Sequence, residues 1–199
     1  MGAASQPAEN QDLAASFTIR RAEERKFSGV RLVQAGYHTR SLSLYAKLGF
    51  VVRVPLACML GPAIRQELPA FNVRRAQMAD LKARNNLAFR VHGHDRDGEL
   101  RENIQQGSAV VVESRGRITG YSSSLNYFGH SVAESTEDLQ AMIAAAAAIS
   151  PPGISIPIRN AQLFRWCLEH GFRATQPLNL MSMGLYNEPA GAFLPSVLF

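Results

Sequence analysis

The chain has 199 residues, of which 46% are hydrophobic and 19% are charged. This length fits one ordinary domain, or a small domain with a fragment of another, and it excludes a long multidomain assembly. The composition is too apolar for a wholly disordered chain. The longest apolar run, residues 141–149, is well short of the roughly 20 residues that span a bilayer. Residues 1–12 lack the basic and apolar segments of a secretory signal. We therefore predict a cytoplasmic protein with no membrane partner.

Charge is distributed unevenly along the chain, and cysteine is scarce. The formal net charge is +5 at pH 7. Residues 1–68 contain nine Lys or Arg and five Asp or Glu, whereas residues 69–199 contain twelve and eleven. Such a basic excess attracts nucleic acid or the phosphates of a nucleotide-bearing cofactor, and a solvated basic surface explains it equally well. Cys58 and Cys167 are too few for a disulfide framework or a zinc site, so we expect two buried thiols.

The first third of the chain predicts a leader followed by alternating helices and strands. Residues 1–14 are mostly small or polar without a period, which favours a disordered leader. The predicted elements are a charged helix over 17–26, an alternating strand over 29–34, a helix over 41–48 and a strand over 50–56. Gly49 suits the left-handed position after a helix. The Gly-Pro-containing stretch 61–69 is the predicted domain boundary.

The rest of the sequence predicts a longer series of mixed helices and strands. Its predicted elements are a strand over 72–75, a helix over 79–91, a polar loop over 92–98, a hairpin of strands 109–113 and 118–123, a helix from Ser135, a strand over 154–158, a helix over 161–170 and a strand over 179–183. The clearest local signal is the sequence STED at residues 135–138, which is typical of a capping box at a helix N-terminus.

Two segments of the chain are similar after a shift of 122 residues. Residues 30–50 then fall on residues 152–172, and each segment reads as a strand, a polar link, a helix and a Gly-Phe pair. The string RSLSLYAKLGF at residues 40–50 resembles the closing strand-helix motif of the GNAT superfamily of acetyl-CoA-dependent N-acetyltransferases. In that motif a tyrosine on the helix is followed by a short turn and Gly-Phe. Tyr45 is the matching tyrosine, and Cys167 is its counterpart in the second segment.

The resemblance covers most of residues 17–199 and implies a GNAT-like mixed sheet flanked by helices, of the α/β (α+β) class. It implies that residues 70–199 form a nearly complete GNAT-like domain and that residues 15–65 form the C-terminal half of a first one, as in a truncated tandem-GNAT protein. A half-domain leaves strand edges and apolar faces unpaired. We therefore expect residues 15–65 to mediate a homodimer, to dock on the second domain, or to be marginally stable.

The resemblance also implies acetyl-CoA as cosubstrate. In the family, a Gln/Arg-x-x-Gly-x-Gly/Ala loop at a helix N-terminus binds the cofactor pyrophosphate through backbone amides. The near match RITGYS at residues 117–122 lies inside an alternating strand, and the helix from Ser135 has no glycine before it. We therefore predict that the pyrophosphate loop is absent or degenerate. The predicted cofactor-binding residues are His38, Arg40, Ser41 and Asn160.

Four residues are candidates for catalysis. By resemblance, Tyr45 corresponds to the tyrosine whose hydroxyl protonates the coenzyme A thiolate, and its alternative role is an aromatic on the inner face of an amphipathic helix. In GNAT-like folds the loop over residues 92–98 borders the acceptor pocket, so His94 or Asp95 could bind or deprotonate an amine. Glu113 is a second candidate base, with an exposed strand carboxylate as its alternative. The cluster HGHDRD at residues 92–97 has no distant partner, so we predict no metal site.

These features favour an enzyme that transfers an acetyl group from acetyl-CoA to an amine of a small molecule or peptide. The alternative is a noncatalytic, degenerate GNAT scaffold or ligand-sensing protein. A nucleic-acid partner is disfavoured, because the sequence contains no helix-turn-helix, zinc-knuckle or aromatic RNA-binding signature.

Overall fold

The computed structural model describes residue 17 and residues 19–197, and the leader predicted over residues 1–14 lies outside them. Residues 19–24 are helical. The strands that follow are β1 (Gly29–Ala35), β2 (Val51–Leu60), β3 (Asn72–Arg75), β4 (Val110–Ser114), β5 (Arg117–Ser122), β6 (Ser131–Ala133), β7 (Ile154–Pro157), β8 (Arg173–Gly184) and β9 (Ala192–Leu194). The α-helices that follow are α1 (Thr39–Lys47), α2 (Leu81–His92), α3 (Asp97–Gln105), α4 (Thr136–Ala145) and α5 (Ala161–Glu169). The predicted mixed class, with sheets flanked by helices, is confirmed.

The first sheet is built from both parts of the chain. Its strand order is β1-β8-β2-β7, and all neighbouring strands are antiparallel. One edge of β8 pairs with β1, from Gly29 opposite Gly184 to Ala35 opposite Leu178, and the other edge pairs with β2. β1 and β2, which the sequence assigned to the first segment, therefore share a sheet with β7 and β8 of the second segment. Its origin as half of a GNAT domain, and a homodimer, stay predictions.

The shift of 122 residues relates the two halves of this sheet. Adding 122 to the bounds of α1, residues 39–47, gives the bounds of α5, residues 161–169. Gly49 and Gly171 follow these helices with φ of 94° and 81°, a region that favours glycine. In the ladder between β2 and β8, Leu56 lies opposite its own counterpart, Leu178. An approximate two-fold axis therefore passes through this leucine pair.

The second sheet has the order β3-β4-β5-β6-β9 and is covered on both faces. Val111 belongs to the apolar cluster that contains Leu87 of α2, whereas the next residue, Val112, belongs to the cluster that contains Met142 of α4. Successive side chains of a strand point to opposite faces, so α2 and α4 pack on opposite sides of β4. Burial on both faces explains why the sequence of β4 begins with a continuous apolar run.

The predicted hairpin and helix cap are confirmed. Arg115 and Gly116 join β4 to β5 with φ of 53° and 75°, as a two-residue type I′ turn requires. Ser135 caps α4: its hydroxyl accepts a hydrogen bond from Asp138 N (3.2 Å), and the Asp138 carboxylate accepts one from Ser135 N (3.0 Å). Gly120 lies within β5, so the near match to a pyrophosphate loop is a strand.

Four elements differ from the expectations. β6 and β9 were not predicted, because three residues are too few to show a period. β8 begins at Arg173 and not at residue 179, since its polar first residues pair with the end of β2. α3 begins at Asp97, inside the stretch predicted as a loop, and its first turn carries the acidic side chains that a helix N-terminus favours.

Two further properties concern membranes and cysteines. In the part of the chain that the structure describes, no helix combines the length and apolarity that crossing a bilayer needs. Cys58 and Cys167 are free and buried, as predicted. Burial raises the pKa of Cys167 to about 12, so this thiol is a poor nucleophile.

Candidate functional site

The loop between α2 and α3 lines a cavity of about 480 Å³. α2 ends at His92, and Gly93 then adopts a left-handed conformation with φ of 77° before α3 begins at Asp97. The beginning of β1 contributes Arg31 to the same cavity. The connection between β8 and β9 contributes Asn187, whose side chain donates to the His92 carbonyl (3.3 Å). The two segments predicted from the sequence therefore meet at this cavity.

His94, a predicted acceptor-site residue, lines the cavity as a neutral imidazole. Its Nδ1 lies 3.2 Å from the His92 carbonyl oxygen, so this nitrogen carries the proton. Its Nε2 accepts a hydrogen bond from Nε of Arg96 (3.3 Å). Burial, together with the charges of Arg96 and Arg31, lowers the pKa of His94. The lone pair of His94 is thus already used, and the imidazole can act as a base only if Arg96 moves away.

Asp95 also lines the cavity, and its carboxylate stabilises the loop. One oxygen accepts a hydrogen bond from Asp97 N (2.9 Å), and the other accepts one from Nδ2 of Asn85 (2.6 Å). These hydrogen bonds lower the pKa of Asp95. A carboxylate with a lowered pKa is a weak base, so the geometry favours a loop-shaping role. Catalysis by Asp95 or His94 stays a prediction.

A buried polar network adjoins the loop and was not predicted from the sequence. Arg84 of α2 has 0% exposure, and its guanidinium lies 4.8 Å from the centroid of the Tyr121 ring. The Tyr121 hydroxyl lies 3.1 Å from Nε2 of His130, and Nδ1 of His130 lies 2.9 Å from Glu99. Burial lowers the pKa of His130 to about 4. These side chains come from separate elements, so no local sequence pattern could have revealed the network.

The other two predicted catalytic residues lie elsewhere. Tyr45 is a half-buried residue of α1, and its ring lies edge-on to that of Phe50 at 5.8 Å. Glu113 of β4 accepts hydrogen bonds from Nε of Arg74 and Nδ2 of Asn72, both at 2.9 Å. These bonds lower the pKa of Glu113. Neither residue lines the cavity at the α2–α3 loop, so the four candidates do not form one catalytic group.

A cleft of about 560 Å³ lies at the N-terminus of α4. Its lining comes from the ends of β6 and β7, the first residues of α4 and α5, and the connection into β9. Every charged residue that lines it has an ion-pair partner: Glu134 pairs with Arg117 (2.6 Å) and Arg90 (2.9 Å), and Arg159 pairs with Glu188. β9 pairs along β6 and covers its edge.

The predicted cofactor-binding residues are divided between two places. Asn160 lines the cleft at α4, whereas His38, Arg40 and Ser41 lie at the start of α1. His38 and Asn160 have the same role, because each caps its helix: Nδ1 of His38 accepts from Ser41 N (3.2 Å), and Oδ1 of Asn160 accepts from Leu163 N (3.1 Å). The Ser41 hydroxyl donates to the His38 carbonyl (2.9 Å). Helix capping thus explains the repeat match, and cofactor binding stays a prediction.

Known structures share this architecture. No protein-family model and no curated protein sequence matches the chain. A candidate acetyltransferase from Pyrococcus horikoshii superposes with a TM-score of 0.65 at 17% sequence identity, over 87% of this chain and 62% of the other. A GCN5-related N-acetyltransferase (GNAT) from Anabaena variabilis superposes with a TM-score of 0.50 at 11% identity, over 86% and 49%. The chain has the GNAT fold.

This fold agrees with the one that the resemblance of the motif at residues 40–50 implies. The chain spans less than two thirds of the length of either structural neighbour. At such low identity the likeness establishes the GNAT fold and not a reaction, since one fold can carry many functions.

The GNAT fold implies acetyl-CoA, and the cleft at α4 does not fit the pyrophosphate of this cofactor. The amide of Asp138 already donates to the Ser135 hydroxyl, and the Asp138 carboxylate occupies the position in front of the helix N-terminus. Glu137 adds a second acidic side chain to this turn, and the arginine that lines the cleft, Arg159, is paired with Glu188. A pyrophosphate would meet carboxylates where an anion site needs free amides.

Proposed function

We propose that this chain is a noncatalytic GNAT-fold protein that binds a small ligand and does not transfer acetyl groups on its own. The observation that carries the proposal is the self-capped N-terminus of α4. The capping box of Ser135 and Asp138 uses two amides of this helix N-terminus, and the Asp138 carboxylate repels a pyrophosphate.

The cavity at the α2–α3 loop supports ligand binding. Its volume of about 480 Å³ falls in the range of small-molecule sites, roughly 300–1,000 Å³. It combines polar side chains, including His94 and Asn187, with apolar ones, including Leu185. A cavity of this size and lining can recognise a small ligand without performing a group transfer.

Binding of acetyl-CoA to the full chain tests the proposal. A ligand that binds only the folded state raises the free energy of unfolding by about 2.7 kcal/mol at a hundredfold excess over Kd. For a chain of this size that corresponds to roughly 5–11 °C in Tm. We expect no shift at sub-millimolar acetyl-CoA, and any weak shift should fade with added salt. A large, salt-resistant shift would contradict the proposal.

Acetyl transfer to a small-molecule or peptide amine is the second candidate function. It is favoured by α1, where Tyr45 matches the tyrosine of the GNAT motif and is half-buried. A phenol hydroxyl is a suitable proton donor to a departing thiolate. Release of free coenzyme A from acetyl-CoA in the presence of a mixture of amines, measured with a thiol reagent, would favour this candidate over binding alone.

A further inference from the structure

Arg31 is a half-buried cation that has no ion-pair partner among the described residues. Its guanidinium lies over the ring of Tyr186, 5.1 Å from the centroid, and lines the cavity at the α2–α3 loop. Burial lowers the pKa of Arg31. A partly desolvated charge without a counter-ion is unfavourable, so an anion in this cavity would relieve a cost that the fold carries.

Arg96 brings a second guanidinium to the same cavity. Its side chain is only 11% exposed, and Nη1 lies 3.6 Å from Glu99. Asp95 is the one carboxylate on the described lining, and both its oxygens are engaged within the loop and by α2. His94 is neutral, as its hydrogen bonds require. The lining therefore carries two guanidinium groups and one carboxylate, and Glu99, outside the lining, pairs with Arg96, so Arg31 is the charge of the described lining that has no ion-pair partner.

Apolar side chains lie beside these charges. Phe27 and Leu185 line the same cavity and expose 62% and 58% of their surface. Large exposed apolar side chains that converge on a cavity are typical of a binding site. The combination fits a molecule that has an anionic group at one end and an apolar body.

We propose that this cavity binds a small organic acid, whose carboxylate or phosphate group contacts Arg31 and Arg96 and whose apolar part contacts Phe27 and Leu185. The planar guanidinium presents parallel N–H donors that match the two oxygens of such a group. The inference rests on the proposed binding function and names its class of ligand. Because Arg31 belongs to β1 and Arg96 to the α2–α3 loop, the ligand would bridge the two segments of the chain.

An NMR titration of the full chain with benzoate and phenyl phosphate tests the inference, with benzamide as the uncharged control. We expect saturable shifts of the backbone amides of residues 93–96 with both acids and none with benzamide. Arg31→Gln should weaken binding tenfold or more. Arg53→Gln is the matched control, because the Arg53 guanidinium also lies over Tyr186, at 5.3 Å, but outside the cavity. That variant should change the affinity less than twofold.

A third variant separates charge from geometry and protects against misfolding. Arg31→Lys keeps the charge and loses the planar donor pair, so its affinity should fall between those of the wild type and Arg31→Gln. The amide spectrum outside residues 93–96 shows whether each variant is folded. Tighter binding of phenyl phosphate than of benzoate assigns a phosphate ligand, and the reverse order assigns a carboxylate.

Several outcomes would overturn the inference: equal binding of benzoate and benzamide, unchanged affinity in Arg31→Gln, an equal loss in Arg53→Gln, or no saturable shift with either acid. None of these affects the acetyl-CoA result that tests the proposed function. Because coenzyme A is itself anionic, the acetyl-CoA titration is repeated with Arg31→Gln. A response that disappears in this variant belongs to the cavity. A response that persists belongs to the cleft at α4 and contradicts the noncatalytic proposal.

Discussion

Replacement of Asp138 by alanine should destabilise the protein by about 3 kcal/mol. The Asp138 side chain is 3% exposed and accepts hydrogen bonds from Ser135 N (3.0 Å), from Ser135 Oγ (2.7 Å) and from the Thr119 hydroxyl. Loss of a helix cap costs about 0.5–2 kcal/mol. A buried hydroxyl left without an acceptor, as Thr119 would be, costs a further 1–3 kcal/mol or so. At roughly 2–4 °C per kcal/mol for a chain of this size, Tm should fall by about 6–12 °C.

Urea unfolding of the wild type and three variants gives the comparison. Glu137→Ala removes a carboxylate from the same turn, but Glu137 is exposed and accepts from the side chain of Gln162 (2.8 Å), so this control should lose less than about 1 kcal/mol. Asp138→Asn keeps one acceptor oxygen, so its free energy of unfolding should lie between those of Asp138→Ala and Glu137→Ala. If the free energy of unfolding of Asp138→Ala lies within about 1 kcal/mol of the wild-type value, the capping box does not occupy the N-terminus of α4. The main reason against pyrophosphate binding is then lost.

Four further predictions concern pH, packing, Tyr45 and metals. The pKa of His130 is lowered in the folded state to about 4 from an ordinary 6.5, so the unfolded chain binds a proton first as the pH falls. The free energy of unfolding should therefore decrease by up to about 3 kcal/mol as the pH drops from 6.5 to below 4. His130→Asn should flatten this pH dependence in urea unfolding measured at several pH values, and an unchanged slope contradicts the prediction. A Cβ on Gly120 would lie 2.7 Å from Cγ1 of Val112, so Gly120→Ala should cost about 1–3 kcal/mol through overpacking, which a melt near wild-type Tm would disprove. If Tyr45 is a general acid, Tyr45→Phe should lower turnover by roughly a hundred- to ten-thousand-fold with little change in stability, and equal turnover removes it from any mechanism. The described residues contain no group of three His, Cys, Asp or Glu suited to a metal, so chelator treatment should leave Tm unchanged, and stoichiometric zinc in the purified protein would refute this.

Local signals predicted a large share of the fold. The capping box at Ser135, the turn at Gly116 and the left-handed glycine at Gly49 act over a few residues, so the sequence alone places them. β6 and β9 could not be predicted in this way, since three-residue strands exist only because a neighbouring strand pairs with them. The interleaving of β1 and β2 with β8 is likewise a long-range pairing that the periodicity of each strand does not encode.

The candidate site was predicted in part. The loop that contains His94 and Asp95 does line a cavity, but its partner Arg31 comes from a strand more than sixty residues earlier, and nothing around Arg31 indicates which loop it faces. The resemblance predicted cofactor binding for both His38 and Asn160, and in the structure each of them caps a helix. Side-chain chemistry alone cannot separate a cap from a ligand contact, because both use the same lone pairs at the same helix end.

The position of β8 between β1 and β2 has a consequence for how the chain acquires its structure during synthesis. β1 and β2 leave the ribosome long before β8, the strand with which both pair. Leu56, for example, pairs with Leu178, which is synthesised 122 residues later. At translation rates of about 5–20 residues per second, the two strands spend roughly ten seconds with unpaired edges, which is the condition under which nascent chains associate wrongly. Such distant pairing also slows folding, since a long loop must close before any contact forms. We therefore expect the yield of native protein to depend on chaperones that hold the nascent chain, and to improve when translation is fast relative to the association of incomplete chains.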